Sequence, residues 1–196
     1  MSLFSFVIFL ILIQFSKCLV EIERFAFQGS STTGDGSTNR PVYLHFLDAT
    51  TSMVELDGNA DFVRHVVKTN KIHDMVFGPD GWIYLAAYDD YKIYRVDPNA
   101  STPQLIVAVD GLPFTPTALS FSKNYLYVAT RNSPSTKIYR FMKTGDSVMG
   151  QTYTGGELAV DTTLCDYSIG IAMSVRSTIL LACYLSGNIV ELTFNS

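Results

Sequence analysis

The pair His73-Asp74 is the feature of this sequence best suited to chemistry. An imidazole can bind zinc or move protons, and a carboxylate beside it can hold a cation. Adjacent strand residues point to opposite sides, so the two are not expected to face one way. A single imidazole fills one coordination position, which makes His73 a channel-lining or hydrogen-bonded histidine first and a metal ligand second. Asp89-Asp90 follows Tyr88 in a turn-like stretch, where paired acids either bind a cation or are simply solvated. Tyr88 joins an aromatic body to a polar tip, suited to packing or to a recognition face. His73, Tyr88, Asp89 and Asp90 are therefore the ligand-binding candidates, with His73 the weak metal candidate and no residue assigned a catalytic role. Cys165 as a nucleophile would need a histidine partner, and the sequence offers His45, His65 and His73. Cys165 reads as structural instead, and no serine of the hydrolase-elbow type is present.

The segment that precedes these residues bears on compartment. Residues 4–15 are apolar apart from Ser5 and Gln14, and Ser16-Lys17-Cys18 follows. A run of about a dozen residues suits the core of a secretory leader, whereas a bilayer span needs about 20. Residues 1–18 are expected to be removed, leaving 19–196 as the mature chain. An uncleaved anchor is the alternative. In an oxidising compartment Cys165 and Cys183 can form one disulfide or remain a buried free pair. Asn99-Ala100-Ser101 is a glycosylation sequon in a turn-like stretch, which agrees with secretion.

Composition narrows the partners. Hydrophobic residues make up 47% and charged residues 16%, which excludes wholesale disorder. The net charge of -4 comes with no basic stripe, so nucleic acid is not an expected partner. After leader cleavage no membrane association is expected. The polar stretch 29–39 carries two glycines around Asp35, yet it lacks the Lys-Ser/Thr of a phosphate loop and the several carboxylates of a calcium loop. It reads as a linker.

The elements that must position the candidates come from an internal repeat. Ile72-His73-Asp74-Met75-Val76-Phe77 is followed by Gly78-Pro79-Asp80-Gly81, by Trp82-Ile83-Tyr84-Leu85-Ala86, and by Lys92-Ile93-Tyr94-Arg95-Val96. Residues 117–141 and 169–192 repeat that order of strand, tight turn, strand ending in Ala, turn and short strand. Residues 41–56 hold a weaker copy. The closing strands begin at Met53, Ile93, Ile138 and Ile189, which are 40, 45 and 51 residues apart (93 − 53, 138 − 93, 189 − 138). That spacing fits a four-stranded propeller blade. The expected fold is all-β, a β-propeller of about four four-stranded blades near 41–68, 72–109, 117–160 and 168–194. It is either a compact four-blade ring or an incomplete six-bladed propeller. Neighbouring blades should bury Ile83, Leu85, Ile93, Leu126, Val128 and Ile138 between them. The strand read at 21–28 is expected to complete the last repeat, whose fourth strand is missing from the pattern.

Residues 72–95 resemble the repeats of NHL-type proteins and of gluconolactonase-like, senescence-marker-type and strictosidine-synthase-like propellers. The turn Gly78-Pro79-Asp80-Gly81, the strand Trp82 to Ala86 and the closing run Lys92 to Pro98 carry the resemblance. It implies a central channel, which in the gluconolactonase-like enzymes holds a divalent cation through carboxylate and Asn ligands from several blades. At the aligned channel positions this chain has His73, Thr117 and Ile169, and an Ile there argues against a metal cage. The expected function is a secreted, non-catalytic binding protein whose propeller face contacts a protein, glycan or small-molecule ligand, without a cofactor. The alternative is a gluconolactonase-like hydrolase that depends on a divalent cation such as calcium or zinc.

Overall fold

The computed structural model describes residues 24–27, 42–45, 52–57, 61–69, 71–132, 134–147, 150–174 and 178–193. The expected leader with its cleavage point and the stretch 29–39 read as a linker lie outside these residues.

Short runs rich in Val, Ile and Tyr, punctuated by Gly, Pro and Asp, form antiparallel strands joined in sequence order. The first sheet contains β1 (Arg24–Phe27), β2 (Val42–His45), β3 (Ser52–Leu56) and β4 (Phe62–Lys68). The second contains β5 (Ile72–Phe77), β6 (Ile83–Ala87), β7 (Lys92–Val96) and β8 (Ile106–Val109). The third contains β9 (Thr115–Phe121), β10 (Tyr125–Asn132), β11 (Ser135–Ser147) and β12 (Gly150–Thr162). The fourth has three strands among the described residues, β13 (Ser168–Met173), β14 (Ile179–Cys183) and β15 (Ile189–Leu192). The opening strands pack in succession, β1 on β5, β5 on β9 and β9 on β13, and β13 also approaches β5. Four sheets arranged around converging opening strands are the blades of a β-propeller.

Two expectations need correction. The N-terminal strand does not complete the last blade. β1 pairs with β2, from Arg24–His45 to Phe27–Val42, and so opens the first blade. The long polar stretch of sequence between β1 and its partner β2 hid that membership. In the third blade the third strand, read as the repeat's short last strand, does not stop near Phe141. β11 and β12 run on as a long hairpin with three register shifts, the extra residues letting it bend and twist.

The core lies between blades. Met53, Val66 and Val67 of the first blade meet Ile72, Met75, Ile83 and Leu85 of the second. Tyr84, Ala86 and Ile93 turn the other way and meet Leu119, Leu126 and Val128 of the third. Tyr127, Ala129 and Ile138 then meet Ile179 and Leu181 of the fourth. Strand alternation thus gives each central blade two apolar faces, and all six residues expected between blades are fully buried. Polar groups also join blades. The Asp74 carboxylate accepts the Leu119 amide of β9 at 2.8 Å and its own neighbour's amide, that of Met75, at 2.9 Å.

The turn between β5 and β6 is fixed by its residue types. Gly81 has φ +80°, where a side chain would be strained. Asp80 accepts the Trp82 amide at 3.2 Å and the Tyr84 hydroxyl at 2.8 Å. A Cβ on Gly78 would stand 2.5 Å from Asp80 Oδ1 and from the Tyr84 ring, so glycine is required there for space.

Candidate functional site

Three repeat positions build one cluster at the end of the sheets where the opening strands begin. The first is a β-bulge. Ile72 pairs with Ala87 and Asp74 with Ala86, which leaves His73 as the extra residue. Pro116–Thr130 and Ala118–Ala129 leave Thr117, and Ser168–Cys183 and Gly170–Ala182 leave Ile169. The three aligned channel positions are therefore the same bulge in three blades. The bulge also breaks strict alternation. His73 and Asp74 are both buried, and they serve different partners.

The second position stands at the start of each opening strand and the third at the end of each second strand, just outside the strands in the second and fourth blades and within them in the third. In the second blade the Tyr88 amide donates to the Lys71 carbonyl at 2.8 Å. In the fourth, the Tyr184 amide donates to the Tyr167 carbonyl at 2.8 Å. In the third, Arg131 pairs with Thr115 in the strand register. Tyr88, Arg131 and Tyr184 are thus one repeat position, and Lys71, Thr115 and Tyr167 another.

These side chains interlock across three blades. The His73 ring stacks on Tyr88, with centroids 4.7 Å apart. His73 Nε2 lies 3.0 Å from the Tyr167 hydroxyl, two blades away. Arg131 donates to the Tyr88 hydroxyl at 3.0 Å, and its guanidinium sits 4.8 Å from the centre of the Tyr167 ring. Lys71 Nζ lies 4.4 Å from the Tyr88 ring centre. Such cation–ring contacts are attractive because the ring face is electron-rich. The bond to Tyr88 pushes the Arg131 guanidinium further above its ordinary range, so it stays charged. Tyr184 meets the Tyr167 ring edge to face and is itself exposed. Asp166 Oδ1 is buried beside Tyr167 with no partner among the described residues.

Local chemistry holds this end in place. Cys165 and Cys183 are joined in a disulfide, with Cα atoms 5.4 Å apart. The bridge ties the segment carrying Asp166 and Tyr167 to the end of β14, next to Tyr184. Tyr91, in the turn after Tyr88, has φ +54°, an unusual conformation for a side chain of its size. The matching turn of the fourth blade puts Gly187 at that place, with φ +68°.

Of the candidates read from the sequence, His73 and Tyr88 come together. Asp90 accepts the Tyr94 hydroxyl at 3.0 Å within its own blade, and Asp89 is exposed on the turn. Asn99 is exposed in the turn after β7, at the opposite end of the sheets, where its amide donates to Asp97 Oδ1. Arg131, Tyr167 and Tyr184 were not singled out as ligand residues. Aligning the residue at the end of each second strand would have found Tyr88, Arg131 and Tyr184 together.

The aligned bulge positions do not fit the cation that the resemblance implies. His73 Nε2 faces the Tyr167 hydroxyl, Thr117 Oγ1 donates to the Ala129 carbonyl at 3.3 Å, and Ile169 offers hydrocarbon. Among the described residues no three His, Cys, Asp or Glu side chains converge as a metal group.

No family model and no curated protein matches the sequence. Solved structures do. The computationally designed Ika4 protein is 13% identical with a TM-score of 0.55, over 90% of this chain and 93% of that one. A putative gluconolactonase is 12% identical with a TM-score of 0.52, over 79% of this chain and 60% of that one. A catalytically inactive virginiamycin B lyase from Staphylococcus aureus, solved with quinupristin, is 15% identical with a TM-score of 0.51, over 91% and 58% respectively. The chain thus spans about three fifths of the gluconolactonase and lyase chains it matches. At these identities the likeness establishes the fold, a β-propeller.

Proposed function

We propose that the protein is a secreted, non-catalytic binding protein that takes its ligand on the propeller end formed by His73, Tyr88, Arg131, Tyr167 and Tyr184. One observation carries this reading. The backbone at the three repeat positions is the same from blade to blade, while the side chains are individual: His, Thr and Ile at the bulge, and Tyr, Arg and Tyr at the ends of the second strands. A common scaffold with position-specific tips is how a repeat fold makes a recognition surface. Tyrosine and arginine are also the side chains that contribute most at such surfaces, because they bury large area and keep a polar handle. The ligand class is a protein, a glycan or a small molecule with hydroxyl or anionic groups for Arg131 and Lys71.

Secretion is supported by the apolar run at 4–15, by the Cys165–Cys183 disulfide, which suits an oxidising compartment, and by the exposed Asn99 sequon. A glycan on Asn99 would sit at the end of the sheets away from the cluster. The competing reading is a metal-dependent gluconolactonase-like hydrolase, favoured by the structural likeness to a putative gluconolactonase. Elemental analysis of purified protein separates the two. The binding reading expects calcium and zinc well below one equivalent and no chelator-sensitive lactone hydrolysis. One equivalent of either metal, with hydrolysis lost on chelation and in His73→Ala, overturns it.

A further inference from the structure

The face of the second blade that meets the third ends in a buried charge. Tyr84 pairs with Arg95 across β6 and β7, and Ile93 stands two residues before Arg95. Strand alternation points all three the same way, into the gap that the third blade closes over Tyr84 and Ile93. Arg95 is 5% exposed. It lies near the turns that carry Asp80 and Asp97, at the end of the sheets away from His73.

A guanidinium in a protein is always charged. Burying it calls for a counter-charge and for acceptors of its N–H groups. Nε and Nη1 of Arg95 are both buried and donate to no acceptor among the described residues. The ion pairs among the described residues take up Arg64, Lys92, Lys137 and Arg140, and Arg95 is in none of them. The acids of the flanking turns are committed elsewhere. Asp80 accepts the Trp82 amide and the Tyr84 hydroxyl, and Asp97 accepts the Asn99 amide. The surroundings are aromatic. The Trp82 ring centre lies 5.5 Å from the guanidinium carbon, and Phe121 and Tyr153 of the third blade pack on the Tyr84 ring at 4.9 and 6.0 Å. The Trp82 face attracts the cation but offers its N–H groups no oxygen. Water satisfies N–H groups without neutralising the charge, whereas an oxyanion does both.

We infer that Arg95 is the centre of a binding site for a small oxyanion, a sulfate, a phosphate or the carboxylate of a small acid, held between the second and third blades. Guanidinium nitrogens and oxyanion oxygens form short, charge-assisted bonds, and burial among aromatic rings strengthens them. The site is at the opposite end of the propeller from the His73 cluster and does not depend on the ligand proposed there.

The test is equilibrium dialysis of the purified, disulfide-bonded chain against labelled sulfate, phosphate and acetate in turn, with sodium chloride holding the ionic strength. Arg95→Met removes the charge and keeps an apolar stem, and Arg131→Met does the same at the other end. Trp82 is the chain's single tryptophan, so its fluorescence reports on the site without any substitution. The inference expects about one equivalent of at least one of these anions, with a saturable change in Trp82 emission at the same midpoint. It also expects binding at least about tenfold weaker in Arg95→Met and kept in Arg131→Met. Circular dichroism checks that each variant is folded, and if Arg95→Met is not, the Trp82 titration of the native protein decides. Binding of none of the three anions overturns the inference. So does a bound anion that leaves Trp82 emission unchanged, or one that folded Arg95→Met still holds. Loss of binding in Arg131→Met alone also overturns it, and places the anion at the His73 end.

Discussion

His73 in the second blade and Tyr167 in the fourth are held within 3.0 Å of each other, although 94 positions separate them in the chain. Their contact spans the converging opening strands, with Arg131 of the intervening blade above the Tyr167 ring. Removing the hydroxyl with Tyr167→Phe should cost about 0.5–1.5 kcal/mol, the net value of one protein hydrogen bond. Urea unfolding of both proteins measures it. An unchanged midpoint would show that the contact contributes nothing in solution.

Asp74 is a buried polar link between the second and third blades. Asp74→Ala leaves the buried amides of Met75 and Leu119 without this acceptor and should destabilise by about 1–3 kcal/mol. Asp74→Asn retains an acceptor oxygen and should cost less. Thermal denaturation ranks the three proteins, and equal losses in the two variants would show that charge, not acceptance, matters.

The disulfide closes a segment of 18 residues around the fourth blade's first hairpin. Loop-closure entropy for a segment of this size is worth about 3 kcal/mol. The Cys165→Ser, Cys183→Ser double variant should lose stability of that order. Because the bridge flanks Tyr167 and Tyr184, the variant should also lose protection of their amides in hydrogen exchange. Unchanged protection there would separate the bridge from the site.

Burial, then the nearby Asp80 carboxylate, push the Tyr84 hydroxyl well above its ordinary value of 10.0. Its raised folded value means that the folded state holds this proton more tightly than the unfolded chain. The contribution is fully present below pH 10 and is lost progressively as pH rises beyond it. Stability should therefore fall in alkaline solution, and Tyr84→Phe should flatten that fall while lowering stability at neutral pH. A pH series of urea midpoints reads both effects.

Much of the fold was legible because the repeat fixes strand order, turn chemistry and the inward-facing residues at once. Ile93, Ile138 and Ile189 mark the third strands of their blades, β7, β11 and β15. The first blade was harder to read, since β1 lies a long polar stretch away from β2. The length of the β11–β12 hairpin was hidden because its strands run past the repeat's short strand length through register shifts, which no residue pattern marks. Half of the site was visible as His73 and Tyr88. The bulge was not, because residue types alone imply strict alternation and would set His73 and Asp74 apart. Arg131 and Tyr167 gain their place from contacts between blades, which no local motif encodes.

The central claim is that the end of the propeller bearing His73, Tyr88, Arg131 and Tyr167 recognises the ligand. It is tested most directly by probing arrays of glycans and secreted proteins with the native protein, with Arg131→Ala and Tyr167→Ala, and with Asn99→Gln as a control at the opposite end. The account predicts ligands whose signal falls at least tenfold in both site variants and is kept in the control. Signals undiminished by either site substitution, or lost in the control instead, would contradict it.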